Sequence, residues 1–364
     1  MNLTTILLPP DSPADGTRLE SVLSEAAAGH ATRVLQGLPS GEDLRGQRLL
    51  FAVPLGEYGI NTAYLQLLRR LRSEPDLLEG CTSAIITDGG SELYTKSAAT
   101  ELALAVNLAG SALIGRPLVE ATGSLANFRL QAKLLGTDPE DACRAAVRDL
   151  IERLDADRFP KRERPKLLAL HASSHHTSNT MQLWAGIRER LGDSCGITEI
   201  GLRNGTISDC SGCPYTMCIH FGERGRCFYG GLMQEEVWPA VLEADALVMI
   251  CPNYNDALSA NLTAFINRMT GLFRQQRFYD KAVFAIIVSG YSGGDIVARQ
   301  LIAALNMNKS FYLPPRFAMI ETANDPGEAV SLPGIDARMD GFAERIRGFF
   351  AANGTRPHLP NIPG

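Results

Sequence analysis

The 364-residue chain lacks an excess of positive charge: 35 Lys and Arg stand against 40 Asp and Glu, a formal net charge of −5. An acidic balance argues against a protein that wraps nucleic acid or coats an anionic membrane. No apolar run approaches the roughly 18–20 residues of a membrane span. The longest, residues 244–252 and 281–290, are interrupted by Asp, Pro or Gly. No basic stretch precedes the short apolar run at 5–8, so no secretory signal is read at the N-terminus. The expectation is a cytoplasmic protein whose thiols stay reduced. Two nucleotide signatures are also missing, the G-x-x-x-x-G-K-[ST] phosphate loop and the G-x-G-x-x-G dinucleotide turn.

What is present is a core-forming composition, 45% hydrophobic and 21% charged. At roughly 100–200 residues per domain this length suggests two domains. Of eight cysteines, Cys81, Cys143, Cys195 and Cys251 are isolated and read as small buried side chains. The other four, Cys210, Cys213, Cys218 and Cys227, follow a C-x2-C-x4-C-x8-C spacing in a Gly-rich segment. Four thiolates converging on one loop suit an iron–sulfur cluster or a structural zinc. Incidental loop cysteines or a reversible disulfide are the plainer alternatives. Trp184 and Trp238, the only tryptophans, lie in helical stretches and read as core. His171, His176 and His220 lie near the candidate sites but read as polar capping or surface residues.

The second half alternates strand and helix. Strands are expected at 167–172, 196–202, 246–251, 282–288 and 316–321, and helices at 180–191, 232–243, 259–269, 294–305 and 335–350. Fully apolar strands such as ALVMIC and AVFAIIV belong in a parallel sheet covered on both faces. The first half repeats the pattern, with strands at 5–8, 48–53 and 83–87 and helices at 17–28, 62–71, 98–109 and 141–154. Residues 58–68 parallel 254–265, residues 84–89 parallel 285–290, and 141–142 parallel 336–337, all at offsets near 200. Near-constant offsets predict an internal duplication. The charged, Pro-bearing segment 157–166 is the expected junction, with domains at 1–158 and 159–364.

Between the first strand and helix of the second half stands Ala172-Ser-Ser-His-His-Thr-Ser-Asn-Thr180. A polar loop ending at a helix N-terminus offers free N–H groups and the positive end of the dipole, which suits a single phosphate. The same residues also make an ordinary helix cap. In a doubly wound sheet the ligand sits beyond the C-terminal strand ends where strand order reverses. The loops Cys251-Pro-Asn-Tyr-Asn-Asp256 and Ser289-Gly-Tyr-Ser-Gly-Gly294 leave that edge with aromatics, amides and glycines suited to a planar ring. The cysteine segment leaves the same edge.

Residues 166–350 resemble the NAD(P)H-dependent FMN reductase branch of the flavodoxin-like proteins, in particular its iron–sulfur flavoproteins. ASSHHTSNT stands for the family's G-S-x-R-x-x-[SG]-N-T loop, and CPNYNDALSANLTAFINR for its S-P-x-Y-x-x-x-x-S-x-x-L-K-x-F-I-D-R segment. The resemblance implies two flavodoxin-like, doubly wound, parallel five-stranded domains. It implies that Ser173, His175, Ser178, Asn179 and Thr180 hold the FMN phosphate. Pro252, Asn253, Tyr254 and Asn255 would border the flavin ring, with Ser289 and Gly290 on its other side. Cys210, Cys213, Cys218 and Cys227 would correspond to the ligands of a [4Fe–4S] cluster, with zinc the alternative. His175 stands where the family has Arg, and the second and third cysteines are separated by four residues where the family has two. In the first half the matching loop, 9–17, carries three prolines with Asp11 and Asp15, which suits no phosphate.

The functional expectation is an FMN-dependent oxidoreductase that takes hydride from NAD(P)H. It would pass electrons to a quinone, nitro or azo compound, or onward through the cluster. No catalytic side chain is named, because the flavin carries the chemistry; backbone N–H groups of 252–256 and 289–291 would tune the ring. The alternatives are an electron-transfer iron–sulfur flavoprotein serving redox protein partners only, or a zinc-stabilised non-redox scaffold. A homo-oligomer is the expected assembly.

Overall fold

The computed structural model describes residues 4–9, 17–38, 44–56, 58–173 and 178–351. The chain divides into two compact units, Met1–Arg158 and Phe159–Gly364.

The first unit runs β1 (Thr4–Leu8), α1 (Arg18–Ala26), β2 (Thr32–Gln36), β3 (Arg48–Leu55), α2 (Thr62–Ser73), β4 (Thr82–Gly89), α3 (Thr95–Leu108), β5 (Ala112–Ala121), α4 (Arg129–Leu135) and α5 (Pro139–Asp155). Three of its helices, α1, α2 and α5, start where the sequence supplies caps. The Asn61 side chain accepts from Tyr64 N at 3.1 Å, and Asp138 accepts from Asp141 N at 2.9 Å with Pro139 opening α5. The strands pair in parallel in the order β2-β1-β3-β4-β5.

The second unit runs β6 (Lys166–His171), α6 (Asn179–Leu191), β7 (Gly196–Gly201), α7 (Tyr215–Gly222), α8 (Trp238–Glu243), β8 (Ala246–Pro252), α9 (Ala260–Gln275), β9 (Ala282–Ser289), α10 (Gly294–Leu301), β10 (Ala318–Thr322) and α11 (Ile335–Phe350). Its parallel sheet reads β10-β9-β8-β6-β7. Counted from the first strand of each unit, both sheets have the flavodoxin-like order 2-1-3-4-5.

Every residue of β9 and all but the last of β8 are buried, as a strand covered on both faces requires. Val248, Ile250, Phe284 and Ile286 pack against Trp184 and Ile187 of α6 and Phe342, Ile346 and Phe350 of α11. Their strand neighbours Met249, Cys251, Ala285 and Ile287 point to the opposite face. That is the side of α10, where Gly294 lies so close to Ile287 and Ile320 that a Cβ would meet Ile320 Cγ2 at 2.5 Å.

Several elements depart from the expected ones. The helix expected at 232–243 is a wide π turn, Met233–Val237, followed by α8. Pro239 provides the reason: it has no N–H to donate and its ring crowds the carbonyl four residues back. The helix expected at 294–305 likewise ends at Leu301 and continues as a π turn, Ile302–Met307. The cysteine segment contains a helix, α7, where a continuous loop was expected. No helix among the described residues is long and apolar enough to cross a membrane.

A Phe284→Ala variant is expected to lose about 3–5 kcal/mol of stability. The readout is a lower denaturant midpoint for the second unit; an unshifted midpoint would contradict the central place of this strand.

Candidate functional site

In the second unit the strand order reverses at β6, which lies between β7 and β8. The crevice beyond the C-terminal ends of β6 and β8 is therefore where this topology opens a ligand site.

One side of the crevice is the turn from β6 into α6. His171, the last residue of β6, is buried, and its Nδ1 donates to the Ser173 carbonyl at 2.9 Å. Its Nε2 faces Glu199 Oε1 at 3.6 Å. Ser174, His175, His176 and Thr177 lie outside the described residues, so the place expected of His175 is not described. Ser178 precedes α6 but makes no capping bond; its hydroxyl pairs with Thr180 Oγ1 at 2.9 Å. The helix also has no acidic residue in its first turn. Its leading N–H groups thus have no side-chain acceptor from the cap position, and no carboxylate of its own first turn offsets the dipole.

The matching helix of the first unit is closed off. Thr17 caps α1 by accepting from Glu20 N at 3.2 Å, and Glu20 adds a negative charge in the first turn. Arg18, the first residue of α1, reaches across the strand ends. It pairs with Asp88, with Nε at 2.9 Å, and donates to the Gly123 carbonyl at 3.1 Å and the Gly89 carbonyl at 3.1 Å.

The other side of the second-unit crevice is a pair of interlocked loops. Asn253 Nδ2 donates to Ser289 Oγ at 3.1 Å and to the Ser292 carbonyl at 3.0 Å, with Asp256 Oδ1 at 3.3 Å. Asn253 Oδ1 is buried and unpartnered. Tyr254 and Ala257 exchange backbone bonds at 3.2 and 3.1 Å, closing a tight turn. Asn255 and Asp256 hold the two positive φ angles such a turn requires, 53° and 57°. Gly293 is fixed by this arrangement: a Cβ there would stand 2.0 Å from Asp256 Oδ1, and its φ is +85°. Ser289 is buried, whereas Tyr254 and Tyr291 are exposed at the mouth, the latter by 81%.

The expected use of backbone N–H groups by a ring is corrected at two positions. Asn253 N donates to the Val288 carbonyl at 2.8 Å, and Tyr254 N is spent within the turn. The Asn253 amide joins the two loops expected to border the ring, through Ser289 and the Ser292 carbonyl.

A third segment was not read from the sequence. Residues 323–329, after β10, are tied to the β9 exit by Ala323 N donating to the Ser289 carbonyl at 2.9 Å. Asn324 lies within 3.0 Å of where a Cβ on Gly290 would be. Asn179 also contacts this segment, with all four of its amide hydrogen-bonding positions. The only signal in the sequence was the turn string Asn324-Asp-Pro-Gly327, which marks a loop and no partner.

The structure does not bring the four expected metal ligands together. All eight cysteines are free, and among the described residues no three His, Cys, Asp or Glu side chains gather to hold a metal. α7 carries Cys218 into a helix whose first turn closes with Cys218 N on the Pro214 carbonyl at 3.0 Å. Cys213 precedes that helix and Cys227 follows it. The segment is instead laid along α9. Asn261 Nδ2 donates to the Leu202 carbonyl at 2.7 Å, Asn267 Nδ2 to Asp209 at 2.9 Å, and Gln275 Nε2 to the Glu223 carbonyl at 3.1 Å. Buried Arg268 donates to the Gly230 carbonyl at 2.7 Å.

The comparison that bears on this site follows the same segment. Residues 165–325 match the family model of NADPH-dependent FMN reductase. The match lies within the second unit and runs from the start of β6 through the turn after β10. Similar solved structures include an NAD(P)H:quinone oxidoreductase from Methanothermobacter marburgensis (14% identity, 50% of this chain and 98% of that one, TM-score 0.39). An FMN-dependent NADH-azoreductase from Bacillus anthracis, solved with FMN, is 14% identical over 50% of this chain and 99% of its own, with a TM-score of 0.36. The Trp repressor binding protein of Bacillus subtilis is 16% identical over 48% of this chain and 99% of its own, with a TM-score of 0.33. No curated protein matches the chain.

The two groups of cysteines differ in reactivity on physical grounds. Burial pushes the Cys143 thiol up to about 11 and raises Cys195 and Cys251 as well. A thiol reagent at neutral pH is therefore expected to label Cys210, which is exposed, ahead of Cys81, Cys143, Cys195 and Cys251. Peptide mapping after brief labelling checks this, and early labelling of Cys251 would contradict its buried place in β8.

Proposed function

We propose that the second unit binds FMN non-covalently in this crevice and works as an NAD(P)H-dependent reductase of small acceptors such as quinones, nitro or azo compounds. The observation that carries the reading is the pairing of an uncapped helix N-terminus with the interlocked loops at a reversal of strand order. The buried, unpartnered Asn253 Oδ1 supports the fit, since a ring N–H donor is the partner such an atom lacks. FMN, when bound, supplies the acceptance of hydride from NAD(P)H and its delivery as electrons.

The chain's own residues bind and orient. Ser173, Ser178, Thr180 and the leading N–H groups of α6 hold the phosphate, with His175 as a further donor from the loop. Pro252, Tyr254 and Asn255 border one side of the ring, and Ser289 and Gly290 the other. Tyr254 and Tyr291, exposed at the mouth, offer aromatic faces to a planar acceptor. No residue is assigned a proton-transfer step, and no electrons are routed through the cysteine segment.

The first unit, in the same reading, binds no FMN and serves as a scaffold derived by duplication. Its helix terminus is already capped, and its strand exits are occupied by Arg18 and Asp88.

Flavin loading tests the proposal. The purified chain is expected to take up FMN at a flavin-to-chain ratio near unity. The bound flavin should bleach with NADH or NADPH under anaerobic conditions and recover its absorbance on adding a quinone. Failure to bind FMN, or a bound flavin that neither pyridine nucleotide reduces, would defeat the reading; a ratio near two would defeat the assignment of the first unit. Ser178→Ala is expected to weaken FMN by about tenfold, the scale of one hydrogen bond to a charged group. Riboflavin, which has no phosphate, should be unaffected.

A further inference from the structure

We propose that Asn179 is a positioning residue that fixes the ring-side wall of the crevice, and that its side chain is not a ligand of the flavin phosphate. The inference rests on the flavoprotein reading above.

An asparagine amide has two donor hydrogens and two acceptor lone pairs. Asn179 Nδ2 donates to the Ala323 carbonyl at 3.3 Å and the Asp325 carbonyl at 2.9 Å. Asn179 Oδ1 accepts from Gly327 N at 3.0 Å and Ala329 N at 3.2 Å. Every position is used, and backbone groups on both sides of the amide fix its orientation. Nothing of the side chain remains for a phosphate, although its sequence neighbours Ser178 and Thr180 keep their hydroxyls together at the helix start.

The tethered loop is the third wall of the site. Asn324 stands against Gly290, and Ala323 N holds the Ser289 carbonyl. Glu328 closes the same loop from its far end, accepting from Asn324 N at 2.6 Å and Asp325 N at 2.9 Å. One side chain at the first position of α6 therefore links the phosphate end of the crevice to the segment lying beside its ring end.

The first unit repeats the device with different chemistry. Arg18 also occupies the first position of its helix, and it also grips the chain leaving the fifth strand, through the Gly123 carbonyl at 3.1 Å. The repetition marks the position as a tether of the fold, with a neutral amide in the unit that keeps an open anion site.

Equilibrium titrations with FMN and with riboflavin separate the two roles. In Asn179→Ala both affinities are expected to fall by the same factor, about tenfold or more. Amide hydrogen exchange at Gly327 and Ala329 should accelerate in the flavin-free chain. A loss confined to FMN overturns the assignment, as does unchanged affinity for both. Glu328→Ala releases the same loop from its other end and is expected to give the same paired loss, which covers the case of an Asn179→Ala chain that does not fold. A wild-type chain that binds neither flavin defeats the flavoprotein reading itself. Unaccelerated exchange at Gly327 and Ala329 in Asn179→Ala defeats the tether independently of any flavin.

Discussion

The reversal of strand order at β6 is the constraint on which the rest of the second unit depends. With β7 on one side and β8 on the other, the chains leaving β6 and β8 part to opposite faces of the sheet and leave a gap that no regular element fills. A gap at the end of a buried sheet exposes backbone groups that must find partners. The loops supply them: Asn253 binds the β9 exit, Ala323 N binds Ser289, and Asn179 binds four backbone groups of 323–329. Side-chain amides do this work because each both donates and accepts and adds no charge. These bonds tie together the loops on one side of the crevice, while the first turn of α6 carries no carboxylate of its own.

The same economy explains the cysteine segment. It spans the long excursion from β7 to α8, and its polar backbone needs a surface to lie on. The polar face of α9 provides it through Asn261, Asn267, Arg268 and Gln275, all bonded to groups of residues 202–230. Arg268 is the telling case. A buried guanidinium without a carboxylate is costly unless carbonyl dipoles surround it, and here the Gly230 carbonyl, at 2.7 Å, takes one of its hydrogens. The four side chains of α9 give the segment a fixed course.

Much of this was legible in the sequence, and the exceptions have physical causes. The buried strands β8 and β9 stand out because both faces are apolar, and α11 matches its expected span of 335–350 to the residue. The edge strand β2 has no fully buried residue and so leaves little hydrophobic trace. In β5 the register with β4 slips between Ser83 and Ile85, where Gly115-Arg116-Pro117 bulges outward and Arg116 takes a φ of 51°; such a string reads as a turn. At the site, the residues on each side of the crevice were identifiable from motifs, whereas the 323–329 loop was not. Its partners are backbone groups, and backbone groups leave no residue signature. Asn179 reads as a ligand from sequence because it is a polar residue at a helix start beside a phosphate loop; its bonding to four backbone groups of 323–329 leaves no residue signature either.

The two units, built on one topology, differ most where their first helices begin, and electrostatics explains how the difference decides what each can bind. In the sequence parallel of 84–89 with 285–290, Asp88 of the first unit matches Ser289 of the second, each near the end of the fourth strand. A carboxylate there, 12% exposed, needs a partner, and Arg18 supplies it together with donors for two carbonyls of the neighbouring exits. An arriving phosphate would have to compete with Asp88 for that guanidinium in a site where charges interact strongly. In the second unit the hydroxyl of Ser289 carries no charge to satisfy, so a neutral Asn179 suffices as the tether. Anion capacity is then left to the helix terminus. A single exchange of Asp for Ser would leave Thr17 and Glu20 at the helix start, so the difference between the units is distributed over the cap, the first turn and the strand exit.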